Sequence, residues 1–357
     1  AVEGDGTWAW TGEASYYNDY PVRNEVIYRT ASVTPIGTPI ALEDPAFDTP
    51  ASGDDPAGRP PLAQTFADGN GEVFTVVTNH FKSKGSSCGS LGDPDTGDGS
   101  GNCNLTRVAQ SEALLEFVAA LQASTHDDDV LIIGDLNSYA KEAPISALEA
   151  GGFTNLLALY DGPWEYTYVF DGQLGNLDHA LGSGSILSQV TGTAAWHINS
   201  DEPDILDYDM SFKKDVQDAL FEPNAYRASD HDPVIVGLDL TAASDFDVDV
   251  SPNSLWPPNH KYREVTVSGV DDDGDLMVNI LGATSSELDC CYDDDDKPVD
   301  IVITGMDTAD LRAERYTEVD GRVYALTVYA WDGEGQAVLT SVYVHVPHDQ
   351  RDKKIKN

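Results

Sequence analysis

Four short stretches carry the histidines, carboxylates and cations from which acid–base and metal chemistry is built. Asn79-His80-Phe81-Lys82-Ser83-Lys84 ends an apolar run on a histidine and follows it with two lysines. Gly134-Asp135-Leu136-Asn137 closes an aliphatic run with a carboxylate and a carboxamide two residues apart. Asn176-Leu177-Asp178-His179 sets an acid and a histidine inside an otherwise apolar segment, and Ser229-Asp230-His231-Asp232-Pro233-Val234 sets another pair just before one. Metal-assisted hydrolysis needs an activated water, a cation on the oxygens that gain charge and help for the leaving oxygen. Carboxylates, an amide and imidazoles are the groups that supply these. Each stretch alone also reads as an ordinary turn, since Gly, Asp, Asn and Ser are turn formers. Four of them at the ends of apolar runs argue for one shared site, with Asp135, Asp178 and Asp230 converging on His80 and His231 in a cleft.

Strands must deliver these groups. Residues 130–133 are aliphatic and read as a buried strand, on whose extended end Asp135 and Asn137 point to one side. Residues 25–28, 32–35, 62–66, 73–78, 166–170, 177–181, 190–197 and 234–240 read as further strands, with a turn at Asp68-Gly69-Asn70-Gly71. A helix capped by Asn104 runs to about Ser124, and a shorter one carries Pro144 in its first turn and stops at Gly151-Gly152. Strands separated by helices in this order predict a layered α/β domain over residues 1–241. From 242 to 350 short alternating strands with Asp/Gly turns and no helical pattern predict an all-β sandwich, and 351–357 read as a basic tail.

The chain has 357 residues, 41% of them hydrophobic, enough for two cores. No apolar run approaches a membrane span. Twenty basic against 62 acidic residues give a formal charge of −42. Such a surface repels polyanions, so contact with nucleic acid has to run through a local basic patch and metal ions. Cys88 and Cys103 flank a Gly/Asp/Ser-rich loop; they are expected to form a disulfide, which suits an oxidising, extracellular compartment. Cys290 and Cys291 are adjacent, and either a vicinal disulfide or two thiols fits the sequence. No His/Cys cluster has zinc spacing. The start, Ala1-Val2-Glu3-Gly4-Asp5, carries no signal sequence and reads as the beginning of a piece of something longer.

The four stretches, in this order and rough spacing, resemble those of the endonuclease/exonuclease/phosphatase superfamily, in particular its large secreted bacterial nucleases. Val22-Arg23-Asn24-Glu25-Val26-Ile27-Tyr28 and Arg59-Pro60-Pro61-Leu62 are similar to that branch too, so the resemblance covers roughly residues 20–240. It implies an α/β fold, a four-layer α/β/β/α sandwich lacking its N-terminal part. It implies a metal-dependent secreted enzyme, extracellular or at the cell surface, that hydrolyses DNA and possibly RNA with Mg²⁺ or Mn²⁺. By the same resemblance Asp230 carries the proton on His231 or ligates metal, and His231 contacts the scissile phosphate or activates water. Asp178 orients the water, Asp135 and Asn137 hold metal or phosphate, and His80 assists the leaving group. Arg59, Lys82, Lys84 and Arg107 become phosphate contacts. The roles of His179 and Asp232 are open.

The family's strand-borne metal glutamate has no counterpart before Val26, because Glu3 and Glu13 lie in polar sequence. That predicts weak metal binding and poor hydrolysis by these 357 residues. Residues 251–261, Ser251-Pro252-Asn253-Ser254-Leu255-Trp256-Pro257-Pro258-Asn259-His260-Lys261, resemble the opening of immunoglobulin-like domains appended to secreted bacterial proteins. Asp271-Asp272-Asp273-Gly274-Asp275 and residues 293–296 suit structural Ca²⁺, although acidic turns in so acidic a chain need no ion. A phosphatase or sphingomyelinase-like phosphodiesterase of the same superfamily is the alternative enzyme, and a secreted binding module the alternative outside enzymes. The polar 82–103 loop favours nucleic acid over lipid. No obligate protein partner is evident.

Overall fold

The computed structural model describes residues 6–11, 23–48, 58–207, 209, 211, 213–240, 246–287, 299–315 and 321–348. Glu3, Glu13, Val22, Cys290, Cys291, residues 293–296 and the 351–357 tail lie outside them. Contacts divide the chain into two units, Ala1–Gly69 with Phe74–Leu240, and Asn70–Val73 with Thr241–Asn357.

The first unit runs β1 (Trp8–Trp10), β2 (Ile27–Arg29), β3 (Val33–Ala41), β4 (Arg59–Asp68), β5 (Val73–His80), α1 (Asn104–Thr125), β6 (Val130–Asp135), α2 (Ala143–Ala150), β7 (Thr154–Asn155), α3 (Leu156–Tyr160), β8 (Tyr168–Phe170), β9 (Gln173–Gly175), β10 (Asp178–Gly182), β11 (Val190–Ala195) and β12 (Val234–Leu238). Its main sheet has the order β3-β4-β5-β6-β10-β7. β5 and β6 are parallel, so their connection must cross over, and α1 is that crossover. The pleat of β6 then sorts its aliphatic run. Val130 and Ile132 join Leu114, Val118, Leu121 and Leu148 in the core beneath α1 and α2. Leu131 and Ile133 face the other way, toward Leu156, Ala180, Val234 and Val236. The sheet is therefore buried on both faces, which is why β6 reads as continuously apolar. Between it and β12 lies a cavity of about 400 Å³, whose walls include Leu131, Ile133, Val236 and Asp178.

The start of α1 differs from its sequence reading. Asn104 is the first helical residue, and Cys103, in the left-handed region (φ 64°), stands at the cap with no side-chain bond. The orphan amides are met from a distance: the Asp93 carboxylate accepts from Leu105 N (3.1 Å) and Thr106 N (2.8 Å). Cys88 and Cys103 are disulfide-bonded, with Cα atoms 5.3 Å apart, and the loop they close carries Asp93.

Gly134 is where strand geometry allows no other residue. Its φ is +127°, and a Cβ there would collide with the backbone carbonyl of Asn79 on β5. Gly134→Ala is expected to cost about 3 kcal/mol or more, read as a lower urea midpoint, because it adds a strained φ to an overpacked contact. An unchanged midpoint would mean the two strands separate freely at this point.

The second unit is all antiparallel: β13 (Asp247–Ser251), β14 (Tyr262–Val270), β15 (Asp275–Ser285), β16 (Ile301–Ile303), β17 (Thr308–Arg312), β18 (Gly321–Trp331) and β19 (Ala337–Pro347). Among the described residues, the ladder of β13, β14, β17 and β16 is paired to the ladder of β15, β18 and β19 through the two-pair β14–β15 hairpin. Alternate residues of both, among them Val265, Val267, Leu311, Leu326, Val328 and Val344, share one core. In the 271–275 turn the Asp271 carboxylate accepts from the amides of Asp273 (2.9 Å) and Gly274 (2.7 Å), so its own backbone uses it.

Candidate active site

Strand register brings the acidic residues together. β10 runs antiparallel to β6 with Asp178 opposite Asp135, and parallel β5 sets His80 opposite Asp135 on the other side. Three adjacent strand ends thus present His80, Asp135 and Asp178 in a row. The fourth group arrives from the loop before β12: His231 Nδ1 lies 2.7 Å from Asp178 Oδ2. Its ring packs against Tyr168, centroids 4.6 Å apart.

Two carboxylates directly opposite each other repel. Burial first, and then the Asp178 charge, push Asp135 up to about 7, against the pull of His231, the Asn137 amide and Arg59. Burial opposes charge on His231, but the hydrogen bond and charge of Asp178, helped by Asp135 and Asp230, push it up to about 9. Burial, then the charges of Arg59 and His231, lower His80 to about 4 despite Asp178. At neutral pH the site therefore holds an imidazolium at His231 and a neutral imidazole at His80. An Arg59 guanidinium nitrogen bonds His80 Nδ1. Arginine only donates, so Nδ1 accepts and the His80 proton sits on Nε2, 3.6 Å from Asp135 Oδ2.

The pairing makes a measurable expectation. In metal-free chain the His231 ring should titrate near 9 by NMR, and Asp178→Asn should bring it back toward its ordinary value of about 6.5. The sign for stability follows: a raised imidazole pKa stabilises fully below about 6.5 and loses that contribution as pH rises through about 9. A wild-type midpoint near 6.5 would break the pairing.

Asn137 reaches the site by a different route from the one expected. It lies beyond β6 with φ 47°, so a turn and not the pleat brings it back to Asp135. Its backbone N–H (2.8 Å) and its Nδ2 (3.1 Å) both donate to the Asp135 carboxylate, and Nδ2 also donates to Phe81 O (3.1 Å). It orients Asp135. Asp230 is exposed, and Asp178, not Asp230, accepts the hydrogen bond from His231 Nδ1. Asp230 lies in the bend before His231, whose N–H donates back to Ser229 Oγ (3.1 Å).

Three of the four proposed phosphate contacts are engaged within the chain. Arg107 is fully buried; it donates to Ser138 Oγ (3.0 Å) and to the carbonyls of Ser100 (2.8 Å), Asn102 (2.8 Å) and Lys82 (3.3 Å). Lys82 is 4% exposed. Lys84 is ion-paired with Glu142, and its Nζ lies 4.4 Å from the centre of the Tyr139 ring. Arg59 alone of the four stands beside the His80–Asp135 row.

His179 and Asp232 are held in networks of their own. His179 is fully buried and bonds Ser138 O through Nε2 (2.8 Å) and Asn155 Nδ2 through Nδ1 (3.3 Å). Together with Arg107 it fixes Ser138, and so the loop that follows Asp135. Asp232 accepts from the amides of Asn199 and Ser200 (both 2.9 Å) and bonds His197 Nδ1 (2.9 Å). Sequence reasoning missed His197 and the β8–β9 hairpin. Asp171-Gly172, with φ of 49° and 73°, is a hairpin-turn signal that was there to be read.

Asp135, Asp178 and His231 each offer a ligand atom within 4.8 Å of the others, the one such group among the described residues. Two carboxylates suit a hard divalent cation.

No protein-family model matches the chain, and no curated protein does. It is similar to a solved, functionally unknown conserved protein from Enterococcus faecalis V583, at 18% identity and TM-score 0.38, over 60% of this chain and 71% of that one. It is also similar to an endonuclease/exonuclease/phosphatase family protein from Bacteroides thetaiotaomicron, at 18% identity and TM-score 0.34, over 48% of this chain and 58% of that one. A third likeness is to the human Nocturnin catalytic domain solved with a sulfate anion, at 18% identity and TM-score 0.34, over 47% of this chain and 54% of that one. The chain spans little more than half of the last two. Likeness this low carries no functional argument, which rests on the site itself.

Proposed function

We propose that the site hydrolyses phosphodiester bonds of nucleic acid, with DNA as the first substrate to test, as part of a secreted protein, with Mg²⁺ or Mn²⁺ held by Asp135 and Asp178. The second unit is then an immunoglobulin-like accessory domain. The observation that carries the reading is the Asp178–His231 pair, 2.7 Å apart, set against a second buried carboxylate at the ends of adjacent strands. The bound cation supplies a Lewis acid for a phosphoryl oxygen. His231, protonated and fixed at Nδ1, has Nε2–H as its remaining donor to such an oxygen. Neutral His80 offers its Nε2–H beside it, and Arg59 holds that ring in the required tautomer. Asn137 keeps the Asp135 carboxylate aimed. Asp178 already engages His231, so metal binding is weak and turnover slow.

Plasmid and single-stranded DNA, incubated with the chain and Mg²⁺ or Mn²⁺, test this. Slow cleavage that a chelator abolishes is expected. Absence of cleavage, or cleavage that survives chelation, would overturn the reading.

A further inference from the structure

With Lys82 and Arg107 buried and Lys84 paired, the phosphate backbone of a nucleic acid finds few cations here, and the chain carries a formal charge of −42. Electrostatic attraction supplies most non-specific affinity in ordinary nucleic-acid binders. Something else has to hold a substrate at this site.

Beside the Asp178–His231 pair stands a wall of aromatic rings. The β8–β9 hairpin pairs Tyr168 with Gly175 and Phe170 with Gln173, so Tyr168 and Phe170 share one face. Their rings are nearly parallel, 13° apart in plane with centroids 6.4 Å apart. Tyr168 leans on His231, and Phe170, 58% exposed, continues the row outward. The same face carries Tyr139, because Gly175 leaves the space: a Cβ there would strike the Tyr139 ring. Lys84 sits over Tyr139. Phe170 continues a row that begins at the reacting groups.

We propose that Phe170, with Tyr168 behind it, forms a stacking platform for the unpaired nucleobase next to the scissile phosphate, so that the substrate class is single-stranded nucleic acid. The inference rests on the phosphodiesterase reading and deepens it. A planar base covers aromatic faces whatever its sequence. A base paired within a duplex keeps its faces on its neighbours and cannot lie on Phe170.

The test uses the whole chain and two short single strands of DNA. One carries 2-aminopurine beside the central phosphate, and the other an abasic residue at that position. Stacking should quench 2-aminopurine, and Phe170→Ala should remove the quench and weaken binding of the base-bearing strand roughly tenfold. Phe170→Trp should restore both, and binding of the abasic strand should not respond to either change. Where the strands are cleaved, KM should rise in Phe170→Ala with kcat unchanged. Phe170 is exposed, so its variants keep the fold, which a thermal melt checks. Equal binding of both strands, equal binding of a duplex, or an effect of Phe170→Ala confined to phosphatidylcholine vesicles would overturn the platform. Quenching is read without turnover, so it judges the platform even where cleavage fails, and cleavage without base dependence leaves the phosphodiesterase reading standing alone.

Discussion

Exchanging His231 for alanine is expected to lower metal-dependent cleavage of DNA by about three orders of magnitude, the range of a positioned acid–base group. The expectation comes from the way the ring is held. Asp178 fixes Nδ1 at 2.7 Å, Tyr168 packs on the ring, and the carboxylates around it push its pKa up to about 9, past the opposing effect of burial. The imidazolium is thus present at neutral pH with one donor left for substrate. The pH profile carries the sign: a rate that needs the protonated ring falls as pH rises through the pKa of that ring, which its bond to Asp178 raises. In Asp178→Asn the fall should move down toward about 6.5, the ordinary imidazole value. Initial rates on a labelled single strand, measured across this range for wild type and both variants, decide the matter. Residual activity within about tenfold of wild type in His231→Ala would remove this residue from the acid–base role. An unmoved profile in Asp178→Asn would take the proton out of the Asp178–His231 pair.

What could be read from the residues was whatever depends on local pattern. The aliphatic run before Gly134-Asp135 could be a strand buried on both faces, and the apolar positions over 105–119 a helix, because side-chain period reports which faces are covered. Once those strands are set side by side, register alone aligns His80, Asp135 and Asp178. What could not be read was direction and burial. A motif that couples Asp230 to His231 says nothing of which neighbour turns inward; the structure turns His231 to Asp178 and leaves Asp230 in solvent. Asp178-His179 behaves in the same way, one residue in the site and the other in the core against Ser138. Asp93 caps α1 from across a disulfide loop, a contact between residues a dozen apart in a tract that looks structureless. Cationic residues near a phosphate-type motif suggest substrate contacts, but guanidinium groups also serve wherever several carbonyls must be gathered, and composition does not separate the two uses.

Arg107 is where those two uses make opposite predictions. Its guanidinium gathers the carbonyls of Lys82, Ser100 and Asn102 and the hydroxyl of Ser138, with no exposed surface. The first three hold the chain just before the disulfide loop and the last turn within it, and the fourth holds the loop after Asp135. Removing the side chain strands several buried acceptors, each worth about 1–3 kcal/mol when left unpaired, and opens a cavity besides. Arg107→Ala is therefore expected to destabilise the first unit by about 4 kcal/mol, a fall of roughly 10 °C in its melting temperature. Lys84→Ala, which breaks a partly buried pair with Glu142, should cost distinctly less, because water reaches what it leaves behind. Melting followed by circular dichroism, with single-strand binding measured well below the transition, separates the roles. A structural Arg107 loses stability and, while still folded, binds the strand as the wild type does. Wild-type melting with weakened binding would mean that the guanidinium leaves its carbonyls for substrate phosphate, and the buried network would then be a resting state and no part of the scaffold.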